Sequence, residues 1–498
     1  MLASHQQTKT HQRYHQQQLT PHQVLRKYFG FKQFRPHQLE IITAIANGHD
    51  TLAVMPTGSG KSLCFQVPAL INPDTTLVIS PLIALMKDQV NHLLAKGIPA
   101  GLLTSALTKT QQHEQLELFR LRKLKLFYVA PERLKSKKFI QAAKRADVNL
   151  LVVDEAHCIS QWGHDFRPEY RQITQFIKQL KKPLTLAAFT ATATFKTQQD
   201  IITNLKMKQA KKFILPVIRQ NLNLNVIHTP TLFEKNLTLM RLVKKHQKEN
   251  GLIYVYSRQS AVDVAEMIKQ FFPQISTAYY HAGLEKTQRT HLEHLFTNNK
   301  LKLLVATNAF GMGVDKPDIN FVIHYQAPFD IESYYQEVGR AGRGGQEAFA
   351  YLLHYLPDWL IHQSFLSDSL KNQKLLKLKQ MFEFVANQNR LCRNQLIATY
   401  FNQPIDSSCK RCDICQNKQN LKNFGLIKKK EIVRLKKLKV QREKLAKKLS
   451  LNPNEVATNQ ILTQIAFFKP KTKSELLKLA GVGKGNFKLL SHLLEHVN

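Results

Sequence analysis

The chain has 498 residues, 43% of them hydrophobic, and 72 Lys and Arg set against 35 Asp and Glu give it a net charge of +37. No apolar run is long enough to span a bilayer, which excludes a helical membrane protein and makes a cytoplasmic protein the expectation. The positive excess, with a pI near 9.9, favours a polyanionic partner, because each phosphate neutralised by Lys or Arg releases a counterion; solvated Lys faces would give the same balance.

Residues 1–22 are rich in His and Gln and poor in large apolar groups, so they read as a disordered leader. From Val24 onward, short aliphatic runs alternate with helical patterns. Strands are expected at Thr51–Val54, Thr76–Ile79, Leu126–Val129, Leu150–Val153 and Leu184–Phe189. A second series follows at Leu252–Tyr256, Thr277–His281, Leu303–Thr307, Phe321–His324 and Ala348–Leu353. Strands separated by helices imply parallel βαβ units. The expected fold is α/β, with two tandem parallel-sheet domains at 23–212 and 213–354. Beyond them the strand signals stop. A helical, cysteine-bearing module is expected at 355–418, and a small, basic, all-α domain at 425–498.

The stretch TLAVMPTGSGKSLCF, beginning at Thr51, carries the strongest local signal. A strand runs into Pro56, Thr57, Gly58, Ser59, Gly60, Lys61 and Ser62, and a helix follows. Small residues let backbone N–H groups wrap a phosphate at the positive end of that helix. Lys61 would reach the β- and γ-phosphates of a nucleotide, and the Ser62 hydroxyl would hold Mg²⁺. The P-loop pattern is met except at its first position, where Met55 replaces Gly.

Leu150–Val153 ends in Asp154 and Glu155. Asp154 can hold Mg²⁺, and Glu155 can orient and deprotonate an attacking water. Phosphoryl transfer also needs positive charge where the γ-phosphate develops charge. QEVGRAGRGG supplies Gln336, Arg340 and Arg343, with the arginines on one face if the segment is helical. These residues belong to the second α/β domain, so the site would be completed only when the domains close. Directly after the acidic pair, HCISQWGHDFRPEY packs Trp162, Phe166, Arg167 and Tyr170 into one loop. Aromatic faces stack on bases without reading sequence, and Arg adds phosphate or cation–π contact. An aromatic mini-core between helices is the competing reading.

Of six cysteines, Cys64 and Cys158 stand alone, whereas Cys392, Cys409, Cys412 and Cys415 cluster. Such tight spacing lets four thiolates converge on one tetrahedral ion, either zinc or an iron–sulfur cluster.

FGFKQFRPHQLEII, MPTGSGKS, SPLIALMKDQV, DEAH, FTATAT, YHAGL, ATNAFGMGVDKPDI and ESYYQEVGRAGRGG occur in the order seen in RecQ DNA helicases. On these blocks the chain, from about residue 24 to 418, resembles that family. The resemblance implies RecA-like motor domains and an ATP-dependent DNA helicase moving 3′ to 5′ in recombination and repair, associated with the nucleoid. It implies ATP with Mg²⁺, held in part by Asp154, and a structural Zn²⁺ on the four clustered cysteines. Phe31 would stack on adenine, Arg35 would support the site, Gln38 would bond the adenine edge, and Asp315 would join the nucleotide site. The aromatic loop would sense single-stranded DNA. Ser80, Thr104, Ser257, Arg258 and Thr307 would contact its backbone, and Thr190, Ala191 and Thr192 would link the movements of the two domains. Single-stranded and partly duplex DNA are the implied partners, with single-strand-binding and recombination proteins beside them.

Larger relatives place a winged-helix domain after the zinc module, and here Gln416–Phe424 leaves no room for it. The tail from Gln416 carries 19 Lys and Arg against 5 Glu. Its end, FKPKTKSELLKLAGVGKGNFKLL, resembles the HRDC module; a reduced winged helix is the other option. An RNA helicase of related build and a scaffold with a decayed motor are the alternatives in function.

Overall fold

The computed structural model describes residues 19–160, 165–180, 183–310, 316–359, 371–416 and 429–458, and in the tail 461–462, 465–466, 470, 472–477, 487 and 489–491. The first element is a short helix, Pro21–Val24, which Thr20 caps by accepting from Gln23 N–H at 3.3 Å. Residues 1–18, most of the expected leader, fall outside the described residues.

Seven strands form the first sheet: β1 Thr51–Val54, β2 Thr76–Ile79, β3 Ala100–Leu103, β4 Leu126–Val129, β5 Leu150–Val153, β6 Thr185–Thr190 and β7 Lys211–Ile214, in the order β3-β4-β2-β5-β6-β1-β7. Six form the second: β8 Leu222–His228, β9 Asn250–Tyr254, β10 Thr277–Tyr280, β11 Leu303–Ala306, β12 Ile319–His324 and β13 Ala348–His354, in the order β10-β11-β9-β12-β13-β8. Every pairing is parallel. Strands covered on both faces read as continuous apolar runs, because successive side chains enter opposite cores. Leu52, Leu77, Ile79, Leu151 and Val153 enter one core. Their neighbours Ala53, Val78, Leu150 and Val152 enter the other.

The structure moves several expected boundaries. The strand expected at Leu184–Phe189 is Thr185–Thr190, and that at Leu252–Tyr256 is Asn250–Tyr254. β3, β7 and β8 were not expected. β7 still pairs with β1, so the chain leaves the first sheet after Ile214, and the expected junction at 212 lies inside a strand.

The helices that bear on function are α1 Lys61–Ile71, α2 Phe195–Leu205, α3 Leu232–Lys245, α4 Ile331–Val338, α5 Lys371–Ala386, α6 Arg393–Tyr400 and α7 Lys429–Leu449. Met381, Phe384, Ile397, Phe401 and Cys412 join the core of the second sheet, so the cysteine module and that domain share one apolar interior. Phe233 and Leu237 on α3 pack against Leu438 and Ala446 on α7, which seats the basic tail on the second domain. Among the described residues, no helix is long and apolar enough to cross a membrane.

Candidate nucleotide site and cysteine centre

The P-loop extends β1: Met55 N–H still bonds Thr190 O at 2.9 Å before the chain turns. Gly58 and Gly60 take left-handed φ values of 80° and 84°, which a side chain would strain. A Cβ on Gly60 would also collide with Gln38 Nε2, and one on Gly58 would meet Arg343 Cγ at 3.4 Å. Gly60 caps α1, so the loop sits at that helix's positive end. Lys61 Nζ lies 3.5 Å from Met55 O.

Asp154 follows β5 and bonds Ile79 O through its N–H at 2.8 Å. Its carboxylate accepts from Glu155 N–H at 3.0 Å and from Ser80 Oγ at 3.4 Å. Burial first, and then the charge of Glu155, push the Asp154 pKa up to about 6, while Lys61 opposes the shift. Glu155 holds a left-handed φ of 48°, a strained choice for a residue with a side chain. Its Oε2 lies 3.3 Å from Nδ1 of the buried His157. The same Nδ1 lies 2.9 Å from Thr190 Oγ1, which donates to Thr192 O at 2.9 Å. With the Thr190 hydrogen used on Thr192, Nδ1 carries the proton. Burial works against the charge on His157, and the Glu155 carboxylate beside it favours that charge. The DEAH segment is thereby wired to the FTATAT segment, a link the sequence did not reveal.

The second domain closes the cleft. Thr57 Oγ1 donates to Gly339 O at 2.9 Å, and Arg219 donates to the same carbonyl at 2.8 Å. Gln336, Arg340 and Arg343 line a cleft of about 440 Å³ together with Lys61, Ser62, Asp154 and Glu155. α4 ends at Val338, so the arginines project from the turns that follow it, and the condition for a shared helical face is not met. Arg219, which braces those turns through Gly339 O and Gly342 O, escaped the sequence reading because no motif marks it.

Phe31 stands 58% exposed at the cleft. Arg35 donates to Gly58 O. Gln38 is buried and braces the loop: its Oε1 accepts from Arg35 N–H, and its Nε2 donates to Ser59 O and Gly60 O at 3.1 and 3.2 Å. An adenine edge would therefore have to exchange partners with the loop.

The aromatic loop is only partly as expected. Trp162, like Asp315, lies outside the described residues. Tyr170 is 1% exposed and donates to Asp154 O at 3.0 Å, so it packs beneath the acidic pair and cannot stack on a base. Arg167 binds Asp165 and donates to Pro81 O at 3.1 Å, which ties the loop to the end of β2. Phe166 lies under the Arg171 guanidinium at 5.0 Å. Ser80, Thr104 and Thr307, expected to touch a nucleic-acid backbone, are buried at strand ends. Ser257 caps its helix through Ser260 N–H at 3.0 Å, and Arg258 is exposed.

In the cysteine centre all four Sγ atoms lie within 4.8 Å of one another. Cys412 lies 3.5 Å from Cys415 and 3.9 Å from Cys392, and Cys409 lies 3.8 Å from Cys415. Zinc–thiolate bonds of about 2.3 Å put tetrahedral sulfurs roughly 3.8 Å apart, so these residues fit the ion. N–H groups of Cys409, Cys412 and Arg393 point at the sulfurs at 3.3–3.5 Å and favour thiolates. Hydrogen bonds from Cys409 and Cys412 push the Cys392 thiol well down. Arg393 is fully buried and bonds Asp413 at 3.0 Å, whose N–H reaches Leu224 O on the edge strand β8 at 3.0 Å.

Residues 35–201 match the DEAD/DEAH box helicase family, 234–345 the helicase conserved C-terminal domain, 357–416 the RecQ zinc-binding domain and 431–493 the HRDC domain. The last match favours the HRDC reading of the tail over a reduced winged helix. The ATP-dependent DNA helicase RecQ of Pasteurella multocida is 40% identical over 396 residues, covering 79% of this chain and 61% of its own. The probable ATP-dependent DNA helicase RecS of Bacillus subtilis is 40% identical over 342 residues, covering 68% of each chain. The chain spans 61 to 66% of the length of the first bacterial RecQ relatives. Among solved structures, the DEAD-box helicase Mss116 bound to single-stranded RNA aligns at a TM-score of 0.60 and 16% identity over 93% of this chain and 94% of its own. Mycobacterium smegmatis Lhr bound to single-stranded DNA aligns at 0.57 and 19% identity over 73% of this chain and 50% of its own. At such identities these likenesses speak for the fold alone. The ordered family matches and the two-thirds coverage of RecS agree with the paired sheets and the cysteine tetrad: the chain belongs to the RecQ helicase family.

Proposed function

We propose that the chain is an ATP-dependent DNA helicase that translocates 3′ to 5′ on single-stranded DNA and unwinds duplexes in recombination and repair, acting in the cytoplasm on the nucleoid. The observation that carries this is the shared cleft: Arg343 lies against Gly58 of the P-loop, and Thr57 is bonded to Gly339 of the opposite domain. Lys61 and the left-handed glycines form a cradle that suits polyphosphate. Ser62 and Asp154 would hold Mg²⁺, whose charge would answer the buried carboxylate that otherwise favours its proton. Bound MgATP would supply the transferable γ-phosphoryl group. Glu155, held by its left-handed backbone and beside His157, would orient and deprotonate water. Gln336, Arg340 and Arg343, which line the same cleft, would bind developing negative charge. Zinc on the four cysteines would be structural, because four protein ligands leave no open position.

Exposed Arg258 and the loop around Phe166 and Trp162 are the candidate strand contacts, and the net charge of +37 supports a polyanionic partner. Only residues 417–430 lie between the matched zinc and HRDC modules; another loop as the wedge, weak unwinding and translocation without unwinding are the three ways such a motor would work. Single-strand-binding and recombination proteins are the partners this role would bring. One relative, 36% identical, is named a putative ATP-dependent RNA helicase, which keeps RNA as the second reading. The deciding experiment is ATP- and Mg²⁺-dependent unwinding of DNA duplexes with 3′ or 5′ tails, alongside ATPase stimulation by single-stranded DNA and by RNA. The proposal expects the 3′-tailed duplex and DNA to prevail. Preference for the 5′ tail, or stimulation by RNA alone, would reject it.

A further inference from the structure

The turn that ends α6 of the cysteine module grips the segment between the two sheets. Gln403 Oε1 accepts from Val217 N–H at 3.0 Å, and its Nε2 donates to Leu215 O at 3.0 Å. One side chain thus fixes both ends of a three-residue stretch that belongs to neither sheet. Val217 O in turn accepts from the Tyr335 hydroxyl, and the Tyr335 ring stands edge-on to Phe401 at 5.3 Å. Tyr335 directly precedes Gln336 on the helix that leads to Arg340 and Arg343.

The neighbouring residue reaches the other domain. Asn402 Oδ1 accepts from Phe195 N–H at 3.1 Å. Phe195 begins α2, and its N–H is one of the donors that a helix start leaves without an intrahelical partner. Thr194 caps the same helix through Thr197 N–H at 3.3 Å, so the cysteine module completes a cap that the first domain begins. α2 follows the FTATAT segment, and its Asp200 accepts from Ser160 Oγ at 2.7 Å, just beyond the DEAH segment. The 402–403 turn therefore touches the hinge, the helix that leads to the arginines by way of Phe401 and Tyr335, and the helix tied to the acidic pair.

Neither side chain belongs to the apolar core that Ile397, Ala398 and Phe401 share with the second sheet. Packing is served by those residues; Asn402 and Gln403 contribute polar bonds to backbone groups elsewhere. The module is fixed to the second sheet through that core and through Asp413 N–H to Leu224 O. A bond from Asn402 to α2 thus spans two bodies and is lost when they part. Only such a state-dependent contact can bias closure.

We propose that Asn402 and Gln403 are positioning residues for ATP turnover, by which the zinc module latches the hinge in the arrangement that brings Arg343 to the P-loop. The proposal rests on reading the cleft as an ATP-hydrolysing site. Its test is the concentration of a non-hydrolysable ATP analogue that half-closes the full-length chain. The assay contains Mg²⁺ and single-stranded DNA and is read by energy transfer between dyes on the two domains, with zinc content and ATPase kcat measured in parallel. Gln403→Ala and Asn402→Gly should each raise that midpoint by up to about tenfold, as expected for loss of one or two net hydrogen bonds, with one zinc retained per chain and kcat reduced. Asn402→Asp keeps the acceptor and puts a carboxylate at a helix N-terminus, so it should close at least as readily as the parent. Unchanged midpoints in Gln403→Ala and Asn402→Gly would overturn the proposal, as would Asn402→Asp behaving like Asn402→Gly. Loss of zinc from Gln403→Ala would refute a positioning role for Gln403, and the Asn402 pair would then decide for Asn402. A parent that closes on the analogue yet shows no DNA-stimulated hydrolysis would refute the proposed function and leave the latch standing.

Discussion

In the cleft, Thr57 meets Gly339 across 282 residues of chain, whereas the four clustered sulfurs all come from Cys392–Cys415. The sulfurs are aimed by local turns and by N–H groups of their own segment. They sit on a core continuous with the second sheet, so the centre behaves as a rigid staple. The cleft is aimed by two separate sheets and the hinge between them, so its completeness depends on how the domains stand. A motor of the proposed kind would use this division: one centre that stays fixed, and one that exists only when the halves meet.

The sharpest way to break the comparison is Arg343→Ala. It should lower DNA-stimulated kcat by about a thousandfold or more while nucleotide binding persists, whereas Lys61→Ala should impair binding and turnover together. Steady-state ATPase and nucleotide titration separate these outcomes, and near-normal turnover in Arg343→Ala would show that the site needs one domain only. Next in size, Cys412→Ser should release the metal and lower the thermal midpoint by about 10 °C or more, since structural zinc contributes to folding directly. Metal analysis and a melting curve check this, and retained zinc would contradict the tetrad.

Within the aromatic loop, Trp162→Ala should reduce DNA stimulation about tenfold and spare basal hydrolysis, as lost base stacking would. Tyr170→Phe should do the reverse: it removes the bond to Asp154 O, costs about 1 kcal/mol of stability, and leaves DNA stimulation intact. The smallest effect concerns pH. Asp154 rises from 3.8 to about 6, so its protonated form favours the fold, and that contribution, complete below 3.8, is lost as pH rises through 6. A Mg²⁺ ligand must be ionised. Turnover at limiting Mg²⁺ should therefore fall as pH drops through about 6, and excess Mg²⁺ should move the fall to lower pH, which pH–rate profiles at two Mg²⁺ concentrations will read.

Several strands were legible because they are plain aliphatic runs: Thr51–Val54 and Leu150–Val153 stand where the sequence places them. β8 escaped because Asn223 and Asn225 interrupt its apolar pattern. In the fold their amides bond Ala348 O and Ala350 O at 3.2 and 3.3 Å, which reconciles polar side chains with burial. β3 carries Gly101 and β7 opens with two lysines, both poor strand signals at sheet edges. Exposure was the least legible property. Phe31 and Tyr170 are both aromatics in motif blocks, yet one lies open at the cleft and the other is sealed under Asp154.

By itself the sequence determined the chemistry: glycines where a phosphate cradle needs left-handed backbone, carboxylates at the end of an aliphatic run, and four thiols at metal spacing. These are local demands, met by residues close together in the chain. Only the tertiary structure decided which polar side chains face the cleft and which brace it, as with Gln38, and that Arg219 braces the turns after α4 while Asn402 meets α2 and Gln403 meets the segment between the sheets. Those roles depend on backbone groups brought from distant segments, and a carbonyl or an N–H carries no mark in the residue letter.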